Sequence, residues 1–341
     1  MIKEAIAKVV ERIDLQEEEM AEVVQEMMEG VATPSQMAAF LVGLRMKGEA
    51  ISEITGAAKV MISKATKIKA NDPVVVDLCG TGGDQQGTFN VSTVASFIAV
   101  GAGVCVAKHG NRSVSSRVGS ADVLEELGVN INLSPSGAER CLNEIGIAFL
   151  FAPVYHPAMK NISQIRKDIG IRTIFNVLGP ITNPAGVKHQ VIGVYAEVLL
   201  NPIAKVLRNL GFTRAMVVHG SDSLDEITVT GKTQVAELKD GMVKTHQFEP
   251  LDLGFKRRKL EELKGGNARE NGEVLLSILK GEEREAKREI AVLNAAAAIL
   301  IAGAASDIKE AIAKAEESID TKRALSKLNE LIKFTRSWDQ G

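Results

Sequence analysis

Cysteine is scarce in this chain: Cys79, Cys105 and Cys141 are the only three among 341 residues. They are odd in number, scattered and never in CxxC spacing. That excludes a disulfide framework and a structural zinc cluster, and it suits a reducing cytoplasm. A basic excess is missing as well. With a net charge of −2 and only 4% aromatic residues, nucleic acid is not an expected partner. The longest apolar runs, Ser92–Ala107 and Ile290–Ala305, are too short or too interrupted by Gly, Ala and Ser to span a bilayer. The opening MIKEAIAKVVERIDLQEEE is amphipathic and acidic, without the apolar core of a signal peptide. The expectation is a cytoplasmic globular protein with no membrane partner. Its 45% hydrophobic and 25% charged content fit that class.

What is present begins with helices. Ile2, Ile6, Val9 and Ile13 recur at helical spacing. Asp14 and Glu17 read as a capping box opening a second helix that Gly30 stops. Thr33-Pro34 sets an N-cap before a proline at the first helical position, starting a third helix toward Gly48. A fourth covers Ser52 to Ala65. From Asp72-Pro73 the pattern changes. Short β-branched or aromatic runs at Val74–Leu78, Val104–Ala107, Ala148–Phe151, Val191–Tyr195 and Ala215–Val218 alternate with helical segments.

This predicts an α/β fold class: a small N-terminal all-helical domain, then a large α/β domain with a mainly parallel central sheet flanked by helices. Ile290–Ala305 reads as a buried helix and Asp307–Phe334 as an amphipathic helix pair. The segment Met159–Pro184 interrupts the alternation with helical text and is expected to pack back on the first helices. The predicted division is therefore 1–72 plus about 159–184 for the helical domain, and 73–158 plus 185–341 for the α/β domain.

Ligands of open α/β sheets bind beyond the carboxyl ends of the strands, so loops after strands carry the most information. Gly80-Thr81-Gly82-Gly83-Asp84 follows the first strand, and Asn90-Val91-Ser92-Thr93 opens the next helix. Glycines turn backbone N–H groups toward a ligand and a helix N-terminus favours anions, so the pair suits phosphate oxygens. A Gly-rich turn that merely reverses the chain is the other reading. The loop lacks the GK[ST] ending of a Walker motif, and GxGxxG fails whether counted from Gly80 or Gly101. After the second strand comes Lys108-His109-Gly110-Asn111-Arg112-Ser113-Val114-Ser115-Ser116-Arg117, donor-rich and free of acids. It is either a second wall for a polyanion or a solvated basic loop. After Met216-Val217-Val218, the run HGSDSLDEI contains Asp225-Glu226, suited to Mg²⁺ shared with phosphates or to plain surface acidity.

GTGGD, NVST, KHGNRSVSS, GSAD at Gly119–Asp122, RKDIGIRTIFNVLGPITNP and HGSDSLDEI, in this order, resemble the anthranilate phosphoribosyltransferase family. The helical start and the length fit as well, so the resemblance covers essentially the whole chain. It implies the nucleoside phosphorylase/phosphoribosyltransferase type of fold. It also implies transfer of a phosphoribosyl group from 5-phosphoribosyl-1-diphosphate to anthranilate in tryptophan biosynthesis, with Mg²⁺, in a homodimer formed through the helical domain. By resemblance, Gly80, Gly83, Asp84, Thr88, Asn90, Val91, Ser92 and Thr93 contact the phosphoribosyl diphosphate. So do Lys108, His109, Gly110, Asn111, Arg112, Ser113, Val114, Ser115, Ser116 and Ser120. Gly80, Asn111 and Arg166 contact anthranilate, and Ser92, Asp225 and Glu226 hold magnesium. Lys108, His109 and Arg166 are the expected catalytic residues, with His109 either a base or a structural loop histidine.

Two departures from the family's commonest pattern stand out. Gln85-Gln86 follows GTGGD where a glycine is usual, and Arg117-Val118 replaces the usual Lys-Ser. Two other functions share parts of this pattern: a pyrimidine nucleoside phosphorylase, and a nucleic-acid-binding relative without catalysis. The Asp225-Glu226 pair argues against the first and the charge balance against the second.

Overall fold

The computed structural model describes residues 1–112 and 118–338. It opens with α1 (Ile2–Val10), α2 (Glu17–Met28), α3 (Pro34–Lys47) and α4 (Ile51–Lys64), packed α1 on α3 and α2 on α4. The first helix ends before Ile13, which is 52% exposed and not part of the apolar stripe. The cap of α2 also falls later than expected. Gln16 rather than Asp14 stands at the N-cap, its N–H donating to Glu19 at 3.0 Å. Asp14 instead pairs with Lys47 at 2.5 Å. Thr33 caps α3 as expected, accepting from the Gln36 N–H.

One buried charge pins these helices together. Glu53, fully buried, accepts from Leu15 N at 2.9 Å, from Ala50 N at 2.7 Å and from Lys47 Nζ at 2.9 Å. It therefore ties the entry to α2, the end of α3 and the first turn of α4. An ionised carboxylate at such depth is tolerated because it is paired with a cation and bonded to backbone donors.

A seven-stranded sheet follows, in the order β3-β2-β1-β4-β5-β6-β7. Its strands are β1 (Val75–Gly80), β2 (Cys105–Gly110), β3 (Ile147–Phe151), β4 (His189–Gly193), β5 (Arg214–Gly220), β6 (Thr233–Lys239) and β7 (Met242–Phe248). The first five pair in parallel and the last two antiparallel. The hairpin β6–β7 is absent from the sequence-based expectation: β7 lies half in solvent at the sheet edge, so its apolar signal is weak. Among the helices after β1 are α5 (Val91–Gly101) and α6 (Ser120–Glu126). The helix Ala286–Ile301 is buried along almost its whole length and packs on α5, and the expected terminal pair forms as Ile308–Asp320 and Arg323–Trp338. No helix among the described residues is long and apolar enough to cross a membrane.

The helical interruption consists of Lys160–Ile169 and the short Phe175–Leu178. Lys160–Ile169 packs on α2 and α3, with Asn161 Nδ2 donating to Met28 O at 2.8 Å. Phe175–Leu178 touches α4.

Replacing Glu53 by alanine leaves the Lys47 ammonium, 3% exposed, with only Asp14 as a countercharge beside the Gly48 carbonyl, and strips the Leu15 and Ala50 N–H groups of their acceptor. Glu53→Ala is expected to lower the unfolding free energy in urea titrations by about 3–5 kcal/mol. Asp14→Ala, at an exposed partner, should cost no more than about 1 kcal/mol.

Candidate active site

Strand order reverses at β1: the chain moves outward to β2 and β3, then returns to the other flank of β1 as β4. Crevices open at the carboxyl ends of strands at such a switch point. There the last residues of β1 and β4, Gly80 and Gly193, are register partners. The Asp225 peptide lies directly on this pair. A Cβ on Gly193 would stand 1.6 Å from Asp225 O, and one on Gly80 would stand 2.3 Å from Asp225 Oδ2. Both positions admit only glycine because backbone and carboxylate occupy the space of a side chain.

The expected Gly-rich loop, helix start and acidic loop meet over this floor. Gly82 N donates to Asp225 Oδ2 at 2.7 Å, and Ser92 N, in the first turn of α5, donates to Glu226 Oε1 at 3.2 Å. Asn294 fixes the acidic loop from behind, accepting from Ile227 N at 3.0 Å and donating to Ile227 O at 2.9 Å. Burial, reinforced by the nearby Asp84 charge, raises Asp225 to about 7. Burial and then Asp225 push Glu226 well above the usual carboxylate range. Carboxylates crowded in this way repel one another until a cation or a proton joins them.

These carboxylates and the Ser92 hydroxyl are hard-oxygen groups of the type Mg²⁺ takes. Among the described residues no three His, Cys, Asp or Glu side chains close into a complete metal cage. A magnesium site that shares its ion with phosphates and water does not need one.

Lys108 lies inside β2 rather than in a loop, because the strand runs on to Gly110. It is 3% exposed, and its Nζ donates to Leu78 O at 2.7 Å and to Ser92 Oγ at 3.2 Å. Burial lowers its pKa, opposed by Asp77 and Glu226. Asp77, fully buried and raised by burial to about 6, accepts from Asn183 Nδ2 at 2.8 Å and from His109 N at 3.3 Å. The positive charge is thus held beside the start of α5 by a buried countercharge.

His109, next along the strand, points to the opposite face. Its Nδ1 meets Gly179 O at 3.0 Å, and its ring lies 5.1 Å from that of His156. Burial lowers His109 to about 3, so it is neutral at pH 7, and its Nε2 has no protein partner among the described residues.

The other expected contacts divide. Asn90 reaches Val118 O and accepts from Asn271 Nδ2 at 3.1 Å, Thr88 bridges to Lys264, and Val91 and Thr93 are buried. Ser120 and Asn111 adjoin the end of β2, where a Cβ on Gly110 would meet Ser120 Oγ at 2.3 Å. Arg112 pairs with Asp122 and Glu125 at 2.7 and 2.9 Å. Ser113, Val114, Ser115 and Ser116 lie outside the described residues.

Arg166, on Lys160–Ile169, stands over the Phe175 ring at 5.6 Å, half-buried and lowered by burial. Gln85 takes φ +61, the left-handed region that favours glycine, which accounts for the glycine usual there.

Sequence reasoning missed Asp77, Asn183, Asn271 and Asn294. The carboxylate and the three amides act from within strands, helices or turns, where their text reads as core. The visible signals were the single Asn in the apolar run Ile290–Ala305 and the place of Asn183 in the motif ending ITNP.

Comparison with known proteins places this arrangement. Residues 3–65 match the family model "Glycosyl transferase family, helical bundle domain", and residues 72–325 match "Glycosyl transferase family, a/b domain". The anthranilate phosphoribosyltransferase of Alkaliphilus metalliredigens (strain QYMF) is 52% identical over 336 residues, covering 98% of this chain and 99% of that protein. The crystal structure of the anthranilate phosphoribosyltransferase from Thermus thermophilus superposes with a TM-score of 0.92 at 40% identity, covering 97% of this chain and 99% of that one. The Saccharomyces cerevisiae anthranilate phosphoribosyltransferase in complex with PRPP and Mg gives a TM-score of 0.90 at 28% identity, over 98% of each chain.

Gly193→Ala forces the Asp225 peptide off its seat. Turnover by the folded variant is expected to drop about 10²-fold or more, since a displacement near 1 Å at a reacting centre has that effect. Steady-state rates beside a circular-dichroism melt test this, and a folded variant with native rates would sink it.

Proposed function

The chain belongs to the anthranilate phosphoribosyltransferase family, and from that membership we propose how its own residues carry the reaction. It transfers the phosphoribosyl group of 5-phosphoribosyl-1-diphosphate to the anthranilate amine, releasing pyrophosphate. The ribose C1–O bond to the diphosphate breaks, the C1–N bond forms, and the amine gives up a proton. The observation that carries the assignment of roles is the Asp225–Glu226 pair, held by the Gly82 and Ser92 N–H groups beside the Lys108 ammonium.

The Gly-rich loop and the start of α5 bind the phosphates through backbone N–H groups and hydroxyls. Lys108 sits where negative charge grows on the leaving pyrophosphate and stabilises it. Ser92, Asp225 and Glu226 would hold Mg²⁺, which when bound would add charge neutralisation at the diphosphate. The proposed contacts of Gly80, Gly83, Asp84, Thr88, Asn90, Thr93, Asn111 and Ser120 complete this pocket.

Arg166 holds the anthranilate carboxylate with its planar fork and aims the amine at C1. The amine is already unprotonated at neutral pH, so orientation supplies much of the rate, on the order of 7–11 kcal/mol. No obligatory general base is needed: His109 is neutral with Nε2 unpartnered among the described residues, but the burial that lowers it to about 3 opposes its holding the amine proton, which suits a structural role better. The helix Lys160–Ile169, packed on α2 and α3, moves with the first helices as one domain, so that closure of the two domains brings Arg166 to the bound phosphoribosyl group. Val10, Val31 and Met46, exposed on the helical unit, supply the apolar surface for a homodimer. The cytoplasm is the proposed compartment.

Loss of anthranilate fluorescence on mixing enzyme, Mg²⁺ and phosphoribosyl diphosphate is the direct test; no turnover at saturating substrates would overturn the assignment. Magnesium binding should also respond to pH. Asp225 at about 7 and the raised Glu226 hold protons that the ion must displace. Apparent Mg²⁺ affinity is therefore expected to fall as pH drops from about 8 to about 6, by up to about tenfold per unit for each proton displaced. Calorimetric titration across that range checks it; flat affinity would place the metal elsewhere.

A further inference from the structure

Arg172 has no role in the site described so far, yet it lies across the Gly-rich loop. Its Nη2 and Nε stand 2.8 and 2.9 Å from the position that a Cβ on Gly83 would take. Its guanidinium covers the Tyr195 ring, with Cζ 4.2 Å from the centroid. That platform is joined to the loop itself: Tyr195 N donates to Thr81 Oγ1 at 3.1 Å, and Thr81 N donates to Gly193 O at 2.9 Å. The position of Arg172 is also fixed from its own side. Thr173 N donates to Asn176 Oδ1 at 3.0 Å and Asn176 N to Thr173 O at 2.9 Å, closing the turn that follows it.

Among the described residues no carboxylate pairs with Arg172, whereas Arg112 is taken up by Asp122 and Glu125. A guanidinium is always charged, and stacking on a ring uses its faces while leaving its edge N–H groups for an acceptor. The neighbouring backbone is in the same condition. The N–H groups of Gly83, Asp84 and Gln85 have no protein acceptor among the described residues. An unpaired cation beside three unpaired donors calls for a polyanion with several oxygens.

We propose that Arg172 is a further substrate contact, meeting a phosphate group of 5-phosphoribosyl-1-diphosphate at the Gly-rich loop; this rests on the reaction assigned above. Anthranilate, with one carboxylate, is left to Arg166 on the same helical segment. The two arginines then divide the two substrates between them.

Arg172→Met keeps the bulk over Tyr195 and removes the charge, and Arg172→Lys restores a charge without the fork. Arg172→Met is expected to raise the KM for phosphoribosyl diphosphate about tenfold or more, with partial recovery in Arg172→Lys. The KM for anthranilate and the melting temperature should stay near wild type. Pyrophosphate binding with Mg²⁺, read by calorimetry, should weaken in parallel. An unchanged phosphoribosyl-diphosphate KM and unchanged pyrophosphate affinity would overturn the proposal. So would an equal rise in both KM values with a lowered melting temperature, which marks a purely structural clamp. Failure of the wild-type enzyme to turn over would instead strike the assigned reaction, and is read separately from the pyrophosphate titration.

Discussion

The site rests on one close approach, the Asp225 peptide seated on Gly80 and Gly193 at the ends of β1 and β4. Two strand ends without side chains allow a loop from beyond β5 to lie directly on the switch point of the sheet. Gly82 then reaches the Asp225 carboxylate, and Ser92 reaches Glu226. Three segments distant in sequence become one surface because nothing stands between them. Asn294 holds the acidic loop from the buried helix beneath, on both sides of Ile227.

The electrostatics follow from the same geometry. Excluding water from Asp225 and Glu226 raises both, so the pair is poised for a cation to relieve its crowding. Burial lowers the Lys108 pKa, and the nearby Asp77, which Asn183 in turn orients, opposes that lowering. The alternation of a strand separates this cation from His109, which faces Gly179 and His156 on the other side of β2. One strand therefore presents a buried cation to the acidic loop and a neutral imidazole to the side of the helical interruption.

The same stretch of chain, from Lys160 to Leu178, carries Arg166 over Phe175 and Arg172 over Tyr195 at the Gly-rich loop. Through Asn161 and its packing on α2 and α3, this stretch is attached to the first helices. Glu53 locks α2, α3 and α4 of that unit together.

Much was legible in the residues themselves. The helix cap at Thr33, the buried β-branched runs and the GTGGD, NVST and DEI stretches declare element types and donor chemistry, because these depend on local periodicity and side-chain type. The order of the six motifs is enough to mark the family. Local text could not separate Asp14 from Gln16 as the cap of α2, nor place the edge hairpin β6–β7, where burial is partial. It could not show that Lys108 is inside a strand, that Arg112 turns to Asp122, or that Arg172 lies against Gly83. Most of those facts are distances between segments far apart in the chain. Sequence by itself determined which groups were on offer; tertiary packing alone decided which of them lost water, found countercharges and came to face the same space.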